Sequence, residues 1–351
     1  MDEDVTTVRF LDESGRLLDG REAPDPAVLL DGYRQLAQAR RLNEQAGALV
    51  RQGRLAVYPS SRGQEACQVA CASVLGAGDW LFPTYRDTAA IVARGVDPVE
   101  VLGMLRGDWH CGYDPVSHHV APQATPLATQ LLHAVGVAHA ARLKGEDTVV
   151  MALCGDGATS EGDFHEACNF AAVFAAPVVF FVQNNKYAIS VPLARQSVAP
   201  SLAAKAVGYG MRGVRVDGND LLALTAVLGE AVARARAGKG PTLVEADTYR
   251  VEAHTNADDA TRYRPDTEVQ EWTARDPIVR LRAHLDAEGV LSEEVEREVV
   301  AAAEAVAAHV RAGMGAEAPV DPEELFAHVY ATPTPQLVEQ RAALRAELEE
   351  A

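Results

Sequence analysis

Two short apolar runs separated by one helix-length segment constrain this chain more than any other feature. Val149–Leu153 runs into Gly155-Asp156-Gly157, and Val178–Val182 runs into Asn184-Asn185. Apolar runs of this length, bounded by turn residues, read as buried strands, and the residues between them fit a helix. The pattern is strand, tight glycine turn, helix, strand. Oxygen-bearing side chains then stand at the ends of both strands. In open parallel sheets, ligands bind at the carboxyl ends of the strands. A helix following such a turn presents its first amides and its positive dipole end to an anion. The arrangement suits a divalent metal held against a diphosphate.

On its own, Gly-Asp-Gly is a common hairpin or loop turn, and Asn-Asn is another. The pair at this spacing, each after an apolar run, points to cofactor binding. Gly155 and Gly157 allow a sharp turn and close approach to a ligand. Asp156 is a candidate magnesium ligand, since magnesium prefers oxygen donors and substrate phosphates. Asn185 offers an amide oxygen and Tyr187 a backbone carbonyl. Thiamine diphosphate is the leading cofactor with these needs.

The rest of the chain fits an α/β fold. Strands are expected at 148–154, 177–183, 213–217 and 242–248, and helices at 28–53, 64–75, 127–143, 162–175 and 220–237. Such alternation implies a mainly parallel sheet with helices on both faces. Asp97-Pro98 is a helix start, Asn219 a helix cap and Gly238 a stop. Residues 1–27 read as a loose arm, 28–275 as the α/β domain, and 276–351 as a helical C-terminal extension. Residues 107–126 and 254–270 read as loops.

The net charge of −18 over 351 residues argues against general binding to a nucleic-acid backbone. No apolar stretch is long enough to span a bilayer, and no basic-then-apolar leader is evident. A soluble, cytoplasmic protein is expected. The five cysteines, scattered and odd in number, fit reduced buried thiols rather than a disulfide framework. His118-His119 has no carboxylate or thiol at metal-ligand spacing.

The stretch from Gly155 to Asp163, with Asn184-Asn185, resembles the thiamine diphosphate motif of 2-oxo acid dehydrogenase complexes. It is most similar to the alpha subunit of their heterotetrameric decarboxylating component, a thiamine diphosphate-binding fold. The likeness runs from about residue 33 to 345. It is carried also by Arg62-Gly63-Gln64-Glu65, Pro83-Thr84-Tyr85-Arg86-Asp87, Pro126-Leu127-Ala128-Thr129-Gln130, Val216-Asp217-Gly218-Asn219-Asp220 and His254-Thr255-Asn256-Ala257-Asp258-Asp259. The resemblance implies that Tyr85 and Arg86 meet the diphosphate and that Gly157 and Ala158 supply amides. It places Asp156, Asn185 and the Tyr187 carbonyl on magnesium and His254 beside the reacting carbon. Thr129 and Gln130 match positions that hold potassium in some relatives; a capping or helix-surface role accounts for them equally well. Thr255 matches a position phosphorylated in mammalian relatives.

The implied reaction is oxidative decarboxylation of a 2-oxo acid with acyl transfer to the lipoyl group of an acyltransferase core. In this family the activating glutamate comes from a separate beta subunit, so an alpha-two beta-two assembly is expected. Tyr58-Pro59-Ser60-Ser61-Arg62, Thr125–Gln130, Val329-Tyr330 and Gln340-Arg341 lean towards branched-chain members, with Val57 and Tyr85 in the substrate pocket. Pyruvate is the runner-up substrate and acetoin the third. The segment 107–123 departs from the family pattern, and no site residue is placed there. A non-catalytic nucleotide-binding protein on the same sheet is the alternative of a different class. It leaves Tyr85-Arg86, Asn185 and His254 without a common purpose.

Overall fold

The computed structural model describes residues 6–107, 111–315 and 321–350. Those parts of the expected arm, loop and tail that fall on residues 1–5, 108–110, 316–320 and 351 lie outside the described residues. Among the described residues seven strands occur: β1 (Trp80–Phe82), β2 (Val150–Gly155), β3 (Val178–Asn184), β4 (Tyr187–Ala188), β5 (Val191–Pro192), β6 (Arg212–Asp217) and β7 (Thr242–Asp247). Five of them form one parallel sheet in the order β1-β2-β3-β7-β6, and β4 and β5 make a small antiparallel hairpin. The helices are α1 (Pro26–Arg51), α2 (Glu65–Ser73), α3 (Thr88–Ala93), α4 (Pro98–Arg106), α5 (Pro115–His118), α6 (Thr129–Lys144), α7 (Gly162–Val173) and α8 (Leu221–Arg236). The C-terminal ones are α9 (Asp266–Thr273), α10 (Pro277–Ala287), α11 (Glu293–Gly315), α12 (Glu324–Ala327) and α13 (Pro335–Glu350).

Successive strand side chains point to opposite faces, and the core divides accordingly. Met151, Leu153, Val179, Phe181, Val244 and Ala246 pack with residues of α1, α2, α3 and α8. Val150, Ala152, Cys154, Val178, Phe180, Val182 and Leu243 pack with α6 and α7. Both faces are covered, which is why the central strands read as unbroken apolar runs rather than as alternation. A third cluster joins Leu42, Ala46 and Leu49 of α1 to Leu102 and Leu105 of α4 and to Val310 and Met314 of α11. It ties the C-terminal helices back to the sheet domain. Among the described helices, none is long and apolar enough to cross a membrane.

Several local expectations are corrected. The arm is not loose from Val8 to Leu18. Val8 pairs with β6, its N–H donating to the Arg215 carbonyl (2.9 Å) and its carbonyl accepting from the Asp217 N–H (3.0 Å). The N–H groups of Phe10 and Leu11 both donate to Asp220 Oδ2 at 2.7 Å. This strip covers the free edge of β6. Its few apolar residues hide that role in the sequence. Asp220, not Asn219, caps α8, accepting from the Ala223 N–H at 3.1 Å. Asn219 accepts instead from Thr248 Oγ1 and donates to the Arg275 carbonyl, both at 2.8 Å. The loop at 107–126 contains α5, capped by Asp114, and the loop from 254 ends where α9 begins. Asp97 caps α4 as expected, and Gly238 follows α8 with φ of +70°. All five cysteines are free thiols; Cys111 is half-buried and the others are buried.

Asp220 holds three backbone N–H groups on two separate segments. Asp220→Ala is expected to lower unfolding free energy by about 2–4 kcal/mol in a urea titration. Limited proteolysis should then cut within residues 6–18; an arm that stays protected would show that the carboxylate is not its anchor.

Candidate functional site

The parallel register aligns Gly155 at the end of β2 with Gln183 of β3. Asp156 and Asn185 therefore leave the sheet side by side, at its carboxyl edge. A cavity of about 380 Å³ opens there. Its walls include Val57, Tyr85, Arg86, Asp156, Gly157, Ala158, Gln130, Asn185, Tyr187 and His254 from the sequence-based set. Thr129 is not among them.

The glycine turn differs from expectation in its form. A 3₁₀ turn, Asp156–Ser160, stands between β2 and α7, so the N–H groups nearest the cavity belong to that turn. Gly155 has an ordinary φ of −89°. A Cβ on it would meet nothing within 4 Å, so glycine there keeps the cavity wall open. Gly157 is required by contact: a Cβ would lie 2.7 Å from Ala188 Cβ on the β4–β5 hairpin. Lys186, which leads into that hairpin, and Ile189, in the turn between β4 and β5, have φ of +77° and +54°. Strain of this kind in non-glycine residues persists where the surroundings hold it. Arg250 does so, donating to the carbonyls of Tyr187 (3.1 Å) and Ile189 (2.7 Å).

Three polar groups converge at this edge. One end of the Asn185 amide lies 3.2 Å from Asp156 Oδ1 and 3.1 Å from the Tyr187 carbonyl oxygen; it is the oxygen in one orientation of the amide, and in the other it is the nitrogen, which donates to both. In the first orientation the one donor to Asn185 Oδ1 is a long 3.4 Å contact from the Tyr187 N–H. Asn185 Nδ2 then points the other way and donates to Gln64 Oε1 at 2.9 Å. Asp156 is 1% exposed and forms no ion pair among the described residues. Burial pushes its carboxyl above the usual range, against the smaller effects of its hydrogen bonds and of more distant Lys186 and Arg250. Gln196 Nε2 donates to Asp156 Oδ2 at 3.2 Å. A carboxylate, an amide and a carbonyl meet here, and with the amide oxygen turned inward they offer three hard oxygens to a divalent cation. No cluster of three His, Cys, Asp or Glu side chains suited to a metal occurs among the described residues, so the thiol- and imidazole-rich sites of zinc are absent there.

Cations line another part of the cavity. Asp87 fixes the turn that carries Tyr85 and Arg86. It accepts from the Thr84 N–H and Oγ1 and from Gln183 Nε2, all at 2.7 Å. Arg86 donates to the Ser60 carbonyl at 2.8 Å and to the His254 carbonyl at 3.1 Å. Its Nη2 also lies 3.1 Å from His254 Nδ1. Arg250, 1% exposed, comes within 3.5 Å of the same nitrogen. Desolvation first, then these two guanidinium groups, lower the His254 pKa from 6.5 to about 4. The imidazole is thus neutral at physiological pH. With guanidinium donors at Nδ1, that nitrogen accepts and Nε2 carries the proton. Tyr85 meets the His254 ring edge-on at 6.1 Å. Asp258 accepts from the His254 N–H at 2.9 Å and from Tyr263 Oη at 2.5 Å, anchoring the loop.

Val57 is joined to Leu105 by backbone, the N–H groups of Ala56 and Val57 donating to the Leu105 carbonyl, and both side chains line the cavity. Gln130 donates to the Leu153 carbonyl at 2.8 Å, while its Oε1 is buried without a partner. Thr129 Oγ1 donates to Asp163 at 3.2 Å. The structure thus separates the Thr129 side chain from the cavity and keeps Gln130 on it. Arg250, Gln183 and Leu105 were not singled out from sequence. Arg250 lies just past the end of β7, and Gln183 is the last residue but one of β3; the carboxyl-edge rule points to both.

The family described as dehydrogenase E1 component matches residues 33–316 of this chain. The 3-methyl-2-oxobutanoate dehydrogenase subunit alpha of Mycobacterium tuberculosis (strain H37Rv) is 52% identical over 316 residues, covering 90% of this chain and 86% of that one. The pyruvate dehydrogenase E1 component subunit alpha of Staphylococcus aureus (strain Mu50) is 40% identical over 301 residues, covering 85% and 81%.

The His254 environment makes a pH prediction. Between pH 6.5 and about 4 the unfolded chain takes up a proton that the folded one refuses. Stability should therefore fall as pH drops through that window. His254→Asn should flatten that part of a stability-against-pH profile; an unchanged slope would remove His254 as its cause.

Proposed function

Because this chain belongs to the dehydrogenase E1 component family, we propose that it is the alpha subunit of a thiamine diphosphate-dependent 2-oxo acid dehydrogenase acting on branched-chain 2-oxo acids such as 3-methyl-2-oxobutanoate. The observation that carries the reading is the convergence of the Asp156 carboxylate, the Asn185 amide and the Tyr187 carbonyl at the carboxyl edge of the sheet. With the Asn185 oxygen turned inward, the three would hold magnesium. The amides of Gly157 and Ala158, with Tyr85 and Arg86, would hold the diphosphate; a guanidinium is suited to phosphate oxygens. Gln130 Oε1, buried and unpartnered, supports potassium at that position, whereas Thr129 is engaged with Asp163. Thiamine diphosphate, when bound, supplies the electron sink for decarboxylation.

The chain's own residues bind, orient and handle protons. His254, neutral and protonated at Nε2, is a hydrogen-bond donor for negative charge developing on the substrate oxygen. Arg86 and Arg250 keep it in that state. Val57, Leu105, Leu127 and Ile189 give the cavity an apolar side that accommodates a branched side chain. The relatives' designation as alpha subunits supports a beta partner in an alpha-two beta-two assembly, with acyl transfer to a lipoyl-bearing core. The free thiols fit a cytoplasmic setting. Pyruvate is the second reading, favoured by the 40% identical relatives that carry that name.

The test is decarboxylation with an artificial electron acceptor, using the chain co-expressed with a beta subunit. Higher kcat/KM on 3-methyl-2-oxobutanoate than on pyruvate is expected, with no turnover by the alpha chain alone and loss of activity on chelation of magnesium. His254→Ala should lower kcat by about 10²-fold or more. Preference for pyruvate would shift the substrate assignment, and full activity without the beta chain would overturn the assembly.

A further inference from the structure

Gln64 lies in none of the roles assigned above, yet it is 1% exposed and lines the cavity. Its Oε1 accepts the Asn185 Nδ2–H at 2.9 Å. Its own Nε2 is fully buried and has no hydrogen-bond partner. An orphaned buried donor is costly and calls for an acceptor. Its backbone is held firmly: Gly63, next to it, has φ of +95°, and a Cβ there would lie 2.2 Å from the Tyr249 carbonyl. Glu65, on its other side, is buried and paired with Arg40.

The two amides admit only two mutually consistent arrangements. In one, Asn185 Nδ2 donates to Gln64 Oε1, and Asn185 Oδ1 joins Asp156 and the Tyr187 carbonyl. In the other, both amides are turned over. Asn185 nitrogen then donates to Asp156 Oδ1 (3.2 Å) and to the Tyr187 carbonyl (3.1 Å), and Gln64 nitrogen donates to the Asn185 oxygen. The first arrangement assembles three oxygens for a cation and leaves Gln64 Nε2 free for an anion. The second closes the oxygen cradle with an N–H and uses up that donor.

Resting on the magnesium–diphosphate reading of this site, we propose that Gln64 is a positioning residue that fixes the Asn185 amide with its oxygen toward the metal and couples metal binding to anion binding. An anionic ligand oxygen at Gln64 Nε2 selects the first arrangement. That arrangement is also the one that accepts the cation, so each ligand favours the other. Gln64 does this through Asn185.

The test measures Mn²⁺ binding, as a paramagnetic stand-in for Mg²⁺, by electron paramagnetic resonance on the chain co-assembled with its beta subunit, with and without thiamine diphosphate. Gln64→Met removes the acceptor and frees Asn185 to turn. Loss of such a supporting partner should weaken Mn²⁺ binding by roughly 10–100-fold. Gln64→Glu keeps an acceptor for Asn185 Nδ2 and removes the donor. It should hold Mn²⁺ alone within about threefold of the wild type while losing the increase in affinity caused by thiamine diphosphate. The decisive comparison uses Asn185→Asp, whose carboxylate has no nitrogen to turn inward. In that background, Gln64→Met should change Mn²⁺ affinity by less than about twofold, a non-additivity that general loosening of the site would not produce. Equal Mn²⁺ binding by wild type and Gln64→Met, or equal losses in both backgrounds, would overturn the proposal. Failure of the wild-type assembly to bind Mn²⁺ at all would instead overturn the metal-site reading on which it rests. Unfolding temperature, recorded for each variant, separates these results from misfolding.

Discussion

A carboxylate buried to 1% exposure without an ion-pair partner among the described residues sets the terms for the whole carboxyl edge of the sheet. Asp156 cannot be left in that position cheaply, since desolvating a charge costs several kcal/mol unless a counter-charge is supplied. The surrounding fold does not neutralise it. It brings more oxygen instead. Parallel pairing of β2 with β3 delivers Asn185 beside it. The left-handed turn at Lys186 leads the chain into the β4–β5 hairpin, and the missing side chain at Gly157 lets that hairpin close over the 3₁₀ turn. Gln196 and Gln64 then hold Asp156 and Asn185 from separate elements. Many elements converge to keep Asp156, the Asn185 amide and the Tyr187 carbonyl together, and either an inward Asn185 N–H or, on the proposed reading, a cation satisfies them.

The cavity is therefore electrostatically two-ended. Oxygens gather where β2 and β3 end, while Arg86 and Arg250 are brought in by the turn after β1 and the segment after β7. Neither guanidinium has a carboxylate ion-pair partner among the described residues; both spend their donors on carbonyls, a phenol and His254. A ligand that carries its own negative charge and its own divalent cation satisfies both ends at once. The same two cations fix the protonation of His254. An imidazole beside carboxylates would become a base or a cation. This one is held neutral with its proton on Nε2, which favours hydrogen-bond donation over proton abstraction.

How far the sequence foretold this depends on which physical signal each part left. The strands flanking Asp156 and Asn185 were legible because burial on both faces writes unbroken apolar runs. Asp97-Pro98 was legible because the cap and the first turn each have a local chemical requirement. β1 was not, since three residues, Trp80–Phe82, are too few to show a period. The docking of the N-terminal strip was hidden because it rests on one carboxylate, Asp220, more than 200 residues away in sequence. Asn219 and Asp220 are adjacent and both able to cap. Only the tertiary partners of Asn219, on Thr248 and Arg275, decide between them. Arg250 carried no local pattern at all, and its importance comes from the end of the strand it follows.

The lining of the cavity also bears on why this chain needs a partner. Its only acidic side chains among the described residues are Asp87 and Asp156. Asp87 already accepts three hydrogen bonds and holds the Tyr85–Arg86 turn in place, so protonating or moving it would dismantle that turn. Asp156 faces the Asn185 amide and the Tyr187 carbonyl. His254 has its basic nitrogen occupied by guanidinium groups. Among the described residues, no carboxyl group in the cavity is thus free to exchange a proton with a bound heterocycle. Leu127 and Ile189, 42% and 57% exposed, belong to the same wall, so it extends to the protein surface as an apolar rim. With an apolar rim and no spare acid among the described residues, the cavity leaves room for a partner's side chain. On the proposed alpha–beta assembly, a partner's acid seated against that rim would complete it.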